Sequence, residues 1–122
     1  MAEHNDIGAI GEEIAFHYLL KKGFKIKARN WRFAHYEIDM VAIDKNELVI
    51  VEVKTRSAAI YEEPRDTIGD KKIRFLTNAA QAYIEENEID LETRFDVVFI
   101  KWFGAGKYEL EHIEDAFTPP VN

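Results

Sequence analysis

The sequence predicts an α/β domain, a mixed β-sheet with helices packed on its faces, in the order α-β-β-β-α-β-β. Three observations lead there. Residues 7–22 and 70–87 carry apolar side chains at helical spacing. Five other runs are rich in β-branched and aromatic residues, and the run from Leu48 is apolar on both faces at its start, as a central strand is. A chain of 122 residues supplies one hydrophobic core rather than two, so a single domain over 1–122 is expected, with a polar tail from about 117.

The elements follow in order. Ile7, Ile10, Ile14 and Ala15 lead into Tyr18 and Leu19 as one face of a first helix, with Asp6 as its expected N-cap and Gly23 closing it. Phe24-Lys25-Ile26-Lys27-Ala28 alternates apolar and basic as a half-exposed strand does, and runs through Trp31 to a turn near Ala34. Tyr36 to Ile43 is a second strand, joined through Asp44-Lys45-Asn46 to a third over Leu48 to Lys54, so these two form a hairpin. Residues 57–69, with Pro64 and Gly69, read as a loop. The second helix, Asp70 to Asn87, presents Ile73, Leu76, Ala80 and Tyr83 on one face. Arg94 to Trp102 is a buried strand, and Gly104-Ala105-Gly106 turns the chain into a last one near Tyr108 to Ile113.

Composition narrows the function. Hydrophobic residues make up 47% and charged residues 32%, which excludes a disordered tail, and no apolar run approaches the roughly 20 residues that cross a bilayer. The polar N-terminus does not read as a secretory signal, and zero cysteines remove disulfides and thiolate chemistry; a cytoplasmic protein without membrane contact is expected. A net charge of −7 argues against wholesale electrostatic binding of nucleic acid. The charge is polarised, however. Lys21 to Arg32 holds six basic residues and no acid, whereas Glu85 to Glu92 holds five acids and no base.

The chemistry concentrates in residues 37–54. Alternation places Glu37 and Asp39 on one face with Val41, and sets Glu52 and Lys54 opposite Val51 and Val53. If the hairpin pairs so that these faces coincide, Asp39, Glu52 and Lys54 converge at one end of the sheet. Two close carboxylates repel unless a cation sits between them, and hard oxygen ligands suit Mg²⁺ or Mn²⁺. A neighbouring lysine can orient water or offset charge on a phosphate. The plainer alternative is a solvated or cross-paired Glu-x-Lys at a strand end.

At these residues a family likeness enters. Asp39, twelve residues, then Glu52-Val53-Lys54 resembles the signature of the PD-(D/E)xK nuclease superfamily. Gly8-Ala9-Ile10-Gly11-Glu12, Ala28-Arg29-Asn30-Trp31-Arg32, Glu37-Ile38-Asp39, Val51 to Arg56, Ala79 to Tyr83 and Arg94 to Val98 make nearly the whole chain similar to the small bacterial YraN-like (UPF0102) proteins. These are viewed as nucleases related to archaeal Holliday-junction resolvases. The resemblance implies a restriction-endonuclease-like fold, Asp39 and Glu52 as metal ligands, Lys54 as the catalytic lysine, and Glu12 as an additional catalytic acid and ligand. Two positions depart from the pattern: Ile38 stands where the superfamily has proline, and Tyr36 where the family has glycine.

Other residues carry paired readings. Glu37 is a further ligand, an acceptor behind the ligands, or a partner of Arg29 or Arg32. Thr55 and Arg56 could hold a phosphate, or Arg56 could simply end a strand in solvent. Gln81 could reach the site or lie exposed on its helix, and Asp96 reads as a satisfied structural carboxylate. Lys25, Lys27, Arg29 and Arg32 could track a nucleic-acid backbone with Trp31 stacking on a base; the alternative is a solvated edge strand whose lysines discourage aggregation. The four histidines lack metal-ligand spacing. The expected function is Mg²⁺- or Mn²⁺-dependent hydrolysis of phosphodiester bonds in DNA, branched or structured DNA included. The alternative is a non-catalytic module that binds nucleic acid or protein. The two-fold symmetry of the junctions that resolvases cut points to a homodimer, with a monomer as the other possibility.

Overall fold

The computed structural model describes residues 3–60, 64 and 68–119. It contains α1 (Glu3–Lys21), β1 (Lys25–Phe33), β2 (Tyr36–Asp44), β3 (Glu47–Ser57), α2 (Asp70–Asn87), β4 (Glu92–Gly104) and β5 (Lys107–Ile113), in the predicted order. The helix-forming pattern reaches further back than expected. Residues 3–6 include no glycine or proline, so α1 starts at Glu3, and Asp6 lies inside the helix rather than capping it. At its other end Gly23 takes a φ of +100°, the left-handed geometry that stops a helix. Helix α2 has its predicted bounds; Gly69 precedes it without a side-chain cap, and Glu88, at φ 52°, closes it by donating its N–H to the Ile84 carbonyl.

The five strands form one sheet in the order β1-β2-β3-β4-β5. Neighbours pair antiparallel except β3 and β4, which run parallel because α2 carries the chain across between them. Each helix covers one face. Ala15 and Leu19 of α1 pack with Met40, Val49, Val51 and Val98. Leu76, Ala79, Ala80 and Tyr83 of α2 pack with Ile38, Val41, Ile50 and Phe95 on the other. Both faces of β3 are therefore dry, which accounts for its run of β-branched residues. Helix α1 approaches β3 closely at Gly11, where a Cβ would overlap the Thr55 side chain and stand 2.9 Å from its Cβ.

One irregularity shapes the molecule. Pairing of β2 with β3 ends at Met40 and Val51, although β1–β2 pairing continues to Phe33 and Tyr36, and β3–β4 pairing to Ser57 and Trp102. The sheet splits between β2 and β3 beyond that point. The strand across from the split is bent as well: β1 shifts register between Ile26 and Ala28, and Asn30 adopts a φ of 52°. Asparagine tolerates that left-handed conformation better than most residues. Strict alternation fails here, so that Ile38 and Val41, three residues apart, both join the core under α2.

Beyond β5 the chain returns to the sheet. Ala116 donates its N–H to the Phe95 carbonyl at 2.7 Å, and the Phe117 ring stacks on Phe95 at 5.0 Å. The stretch expected to be a polar tail from 117 is thus packed at its first residue, because that residue is aromatic; positions 120–122 lie outside the described residues. Of the predicted loop 57–69, residues 57 and 58–60 continue from β3 and 61–63 and 65–67 are outside the described residues.

Candidate functional site

Asp39 sits where β2 leaves β3. Its carboxylate accepts the Val53 N–H at 2.8 Å, replacing the ladder bond that the split removes. Glu52, next along β3, is buried, with its side chain 7% exposed. Burial and the Glu52 charge push the Asp39 carboxyl up to about 7, although the Val53 N–H and the Lys72 charge act in the opposite direction. The closeness of Glu52 thus favours the protonated form of Asp39.

Lys54, two residues on and on the same face of β3, brings its ammonium to 3.5 Å from Glu52 Oε2. Asp39, Glu52 and Lys54 thus meet at one end of the sheet, the last two set on one face by strand spacing. Glu12 reaches the same region from α1. Burial, and then the Asp39 charge, raises its pKa, while the Asn30 side chain donates a hydrogen bond to it and lowers it. Glu37 is near enough for its charge to act on Glu12, yet it is exposed and pairs with Arg32 at 3.5 Å.

Two contributors were not singled out from the sequence. Asn30 holds Glu12 and sits at the bend of β1. Its signal was a single uncharged polar residue in an otherwise apolar and basic strand. Lys72, in the first turn of α2, places its Nζ 3.5 Å from the same Glu52 oxygen that Lys54 approaches. A cation in the first turn opposes the helix dipole, and that mismatch was its signal.

The donor set suits a hard divalent cation. It is all oxygen, and it includes a carboxyl pair whose mutual repulsion a double positive charge would relieve. Magnesium typically takes one or two carboxylates and completes its shell with water and substrate phosphate. Among the described residues, no three His, Cys, Asp or Glu side chains close into a ready-made metal cage.

The expected nucleic-acid contacts divide. Lys25, Lys27 and Arg32 are exposed on the edge strand β1. Arg29 is engaged: its Nη2 donates to Glu13 at 2.6 Å, and its guanidinium lies 4.1 Å from the Phe16 ring centre. Trp31 is half-buried, edge-on to Tyr83 at 5.3 Å and stacked with Phe33 at 6.0 Å, so much of its ring belongs to the core under α2. Thr55 faces α1 at Gly11, on the opposite side of β3 from Lys54. Arg56 donates to the Thr55 carbonyl at 3.1 Å. Gln81 is exposed and donates to Glu85 at 3.0 Å; it lies nine residues past Lys72 on α2, about 13 Å along the axis.

A second buried charge cluster lies on the α1 face. Arg94 donates to both Asp96 oxygens at 2.9 and 3.0 Å, and to Asp44 and Glu47 at 3.1 and 2.9 Å. His112 Nε2 stands 2.7 Å from Asp96, and its Nδ1 stands 3.0 Å from the Tyr18 hydroxyl. Burial would raise the Asp96 pKa, but hydrogen bonds from His112, Arg94 and the Asp115 N–H win and hold it low. Asp96 is the satisfied structural carboxylate that its apolar strand suggests.

Comparison with known proteins agrees along the whole chain. Residues 11–100 match a family model described as "Uncharacterised protein family UPF0102". A UPF0102 protein of Bacteroides thetaiotaomicron is 44% identical over 122 residues, covering 99% of each chain. Others from Flavobacterium psychrophilum and Phocaeicola vulgatus are 44% and 43% identical, covering 96% and 99% of this chain and 98% and 99% of their own. No helix among the described residues is long and apolar enough to cross a membrane. With the family model spanning most of the chain and full-length relatives at this identity, the protein belongs to the UPF0102 family.

Proposed function

We propose that this protein is a cytoplasmic, Mg²⁺- or Mn²⁺-dependent nuclease of the PD-(D/E)xK type that hydrolyses phosphodiester bonds in DNA. The observation that carries the reading is the carboxyl pair Asp39–Glu52 in the split of the sheet, with the Lys54 ammonium 3.5 Å from Glu52. Such a pair is electrostatically costly to hold in a folded chain, since burial and the Glu52 charge both disfavour ionised Asp39. A purely structural site would have replaced one acid or matched it with a buried arginine, as Asp96 is matched by Arg94.

Asp39 and Glu52 would hold the cation. When bound, it supplies Lewis acidity toward a phosphate oxygen and a more acidic water. The Val53 N–H fixes the orientation of Asp39, so the acid needs no rearrangement to present its other oxygen. Lys54 offsets negative charge that grows on the phosphate, or orients the attacking water. Glu12, kept partly desolvated and held by Asn30, adds an acceptor at the rim. The exposed Lys25, Lys27 and Arg32 provide cations for a nucleic-acid backbone.

The test is incubation of purified protein with duplex, single-stranded and branched DNA in Mg²⁺ or Mn²⁺. Cleavage that Lys54→Ala abolishes while the fold persists supports the reading; absence of cutting on every substrate counts against it. One observation favours a second reading, a non-catalytic binding module: with a net charge of −7, the acidic body suits a protein partner. The two separate on Mn²⁺ titration, because a module would show no affinity that depends on Asp39 and Glu52. A homodimer matching two-fold DNA is part of the first reading and is checked by sedimentation.

A further inference from the structure

We propose that Lys72 is a second phosphate-binding lysine, which with Lys54 clamps the backbone of the nucleic acid from the α2 side of the split. This rests on the nuclease reading above and adds to it a residue and an element that the Asp-Glu-x-Lys pattern does not contain.

Five observations carry it. Lys54 and Lys72 both approach Glu52 Oε2 at 3.5 Å, one from β3 and one from α2, so two ammonium groups flank a single buried carboxylate oxygen. A separation of 3.5 Å is longer than a charge-assisted hydrogen bond of about 2.8 Å, which leaves ammonium donors uncommitted. The Lys72 side chain is 39% exposed against 7% for Glu52, so it lies at the rim and not in the core. Its Nζ also lies 5.1 Å from the Phe75 ring centre, a contact that restrains a flexible side chain. The helix dipole does not account for it either, because it disfavours Lys71 and Lys72 in the first turn of α2, where Asp70 supplies the anion that the dipole prefers. A phosphodiester oxygen arriving at the rim would meet an ammonium already oriented and already beside the two carboxylates.

The alternative is that Lys72 only steadies Glu52. The two roles separate in one set of measurements on the full chain, using a fluorescein-labelled DNA duplex in Ca²⁺ for binding, and Mn²⁺ alone, by calorimetry, for the carboxylates. With Lys72→Gln, duplex affinity should fall roughly tenfold. The slope of log affinity against log salt should become shallower by about 1, as for one lost phosphate contact. Mn²⁺ affinity without DNA should hold or tighten, since a cation beside the carboxylates has gone. Lys72→Arg should restore both affinity and slope. An unchanged salt slope, or a loss of Mn²⁺ affinity in step with duplex affinity, overturns the clamp and leaves Lys72 as a support for Glu52. Failure of the nuclease reading looks different: the wild type itself then binds neither duplex nor single-stranded nor branched DNA, or its Mn²⁺ affinity is indifferent to Asp39→Asn.

Discussion

The Asp39 carboxylate accepts the Val53 N–H at 2.8 Å across a gap where two adjacent strands have ceased to pair. One side chain therefore closes the end of the β2–β3 ladder and at the same time stands beside Glu52. The acid is held by the backbone of the strand that supplies the other acid and the lysine. Any change that relieves the repulsion between the carboxyls should appear in stability as well as in activity.

Asp39→Asn tests that coupling. A carboxyl pushed up to about 7 in the folded chain holds its proton over a range where the unfolded chain has lost it. Stability should therefore fall as pH rises from the ordinary carboxyl range toward 7, and level off above. The amide cannot ionise and keeps an oxygen for the Val53 N–H, so the variant should melt higher than wild type at pH 8 and show less of this decline. Mn²⁺ should raise the wild-type melting temperature at pH 8 and leave the variant's nearly unchanged.

Lys54→Ala should remove cleavage while sparing the fold. The side chain is 23% exposed and contributes one loose ion pair, so the stability change should be small. The rate should fall by about 10²–10⁴, the usual range for losing a positioned proton-transfer or charge-stabilising group. Single-turnover kinetics on a substrate the wild type cuts measure it, and circular dichroism checks the fold.

Gly11→Ala places a methyl group against the Thr55 side chain. Overpacking of this kind costs about 1–3 kcal/mol, which urea denaturation would read. Thr55→Ala in the same chain should recover most of the loss, since the clash is with the threonine side chain and not with backbone. If Thr55→Ala recovers nothing, the close approach of α1 to β3 is not what makes glycine necessary.

Asp96→Asn should be the most destabilising of these changes and the least relevant to the site. It leaves Arg94 without its bidentate partner, and breaking a buried pair costs about 3–5 kcal/mol. Because the Asp96 pKa is held low, its contribution is present above the ordinary carboxyl range and is lost only as pH falls through the lowered value. Thermal melts at neutral pH should show the drop, while Mn²⁺ affinity should stay at the wild-type level wherever the protein is folded.

Sequence by itself determined the order of the elements and the bounds of α2, because apolar periods of 3.6 and 2 report how each segment must turn to bury one or both faces. It also determined that Glu52 and Lys54 share a face, since residues two apart on a regular strand do so wherever the strand ends up. Only the tertiary structure decided how Asp39 meets them. Alternation alone misplaces Ile38 against Val41, because the split and the left-handed Asn30 interrupt the period at that point. The same holds for Glu12 and Lys72, which arrive from helices 27 and 33 residues away from Asp39, and for Trp31, whose ring is spent on Tyr83. Local patterns fix which way a side chain leaves its own backbone; they carry no information about which distant helix end packs beside it, and the site is made of both.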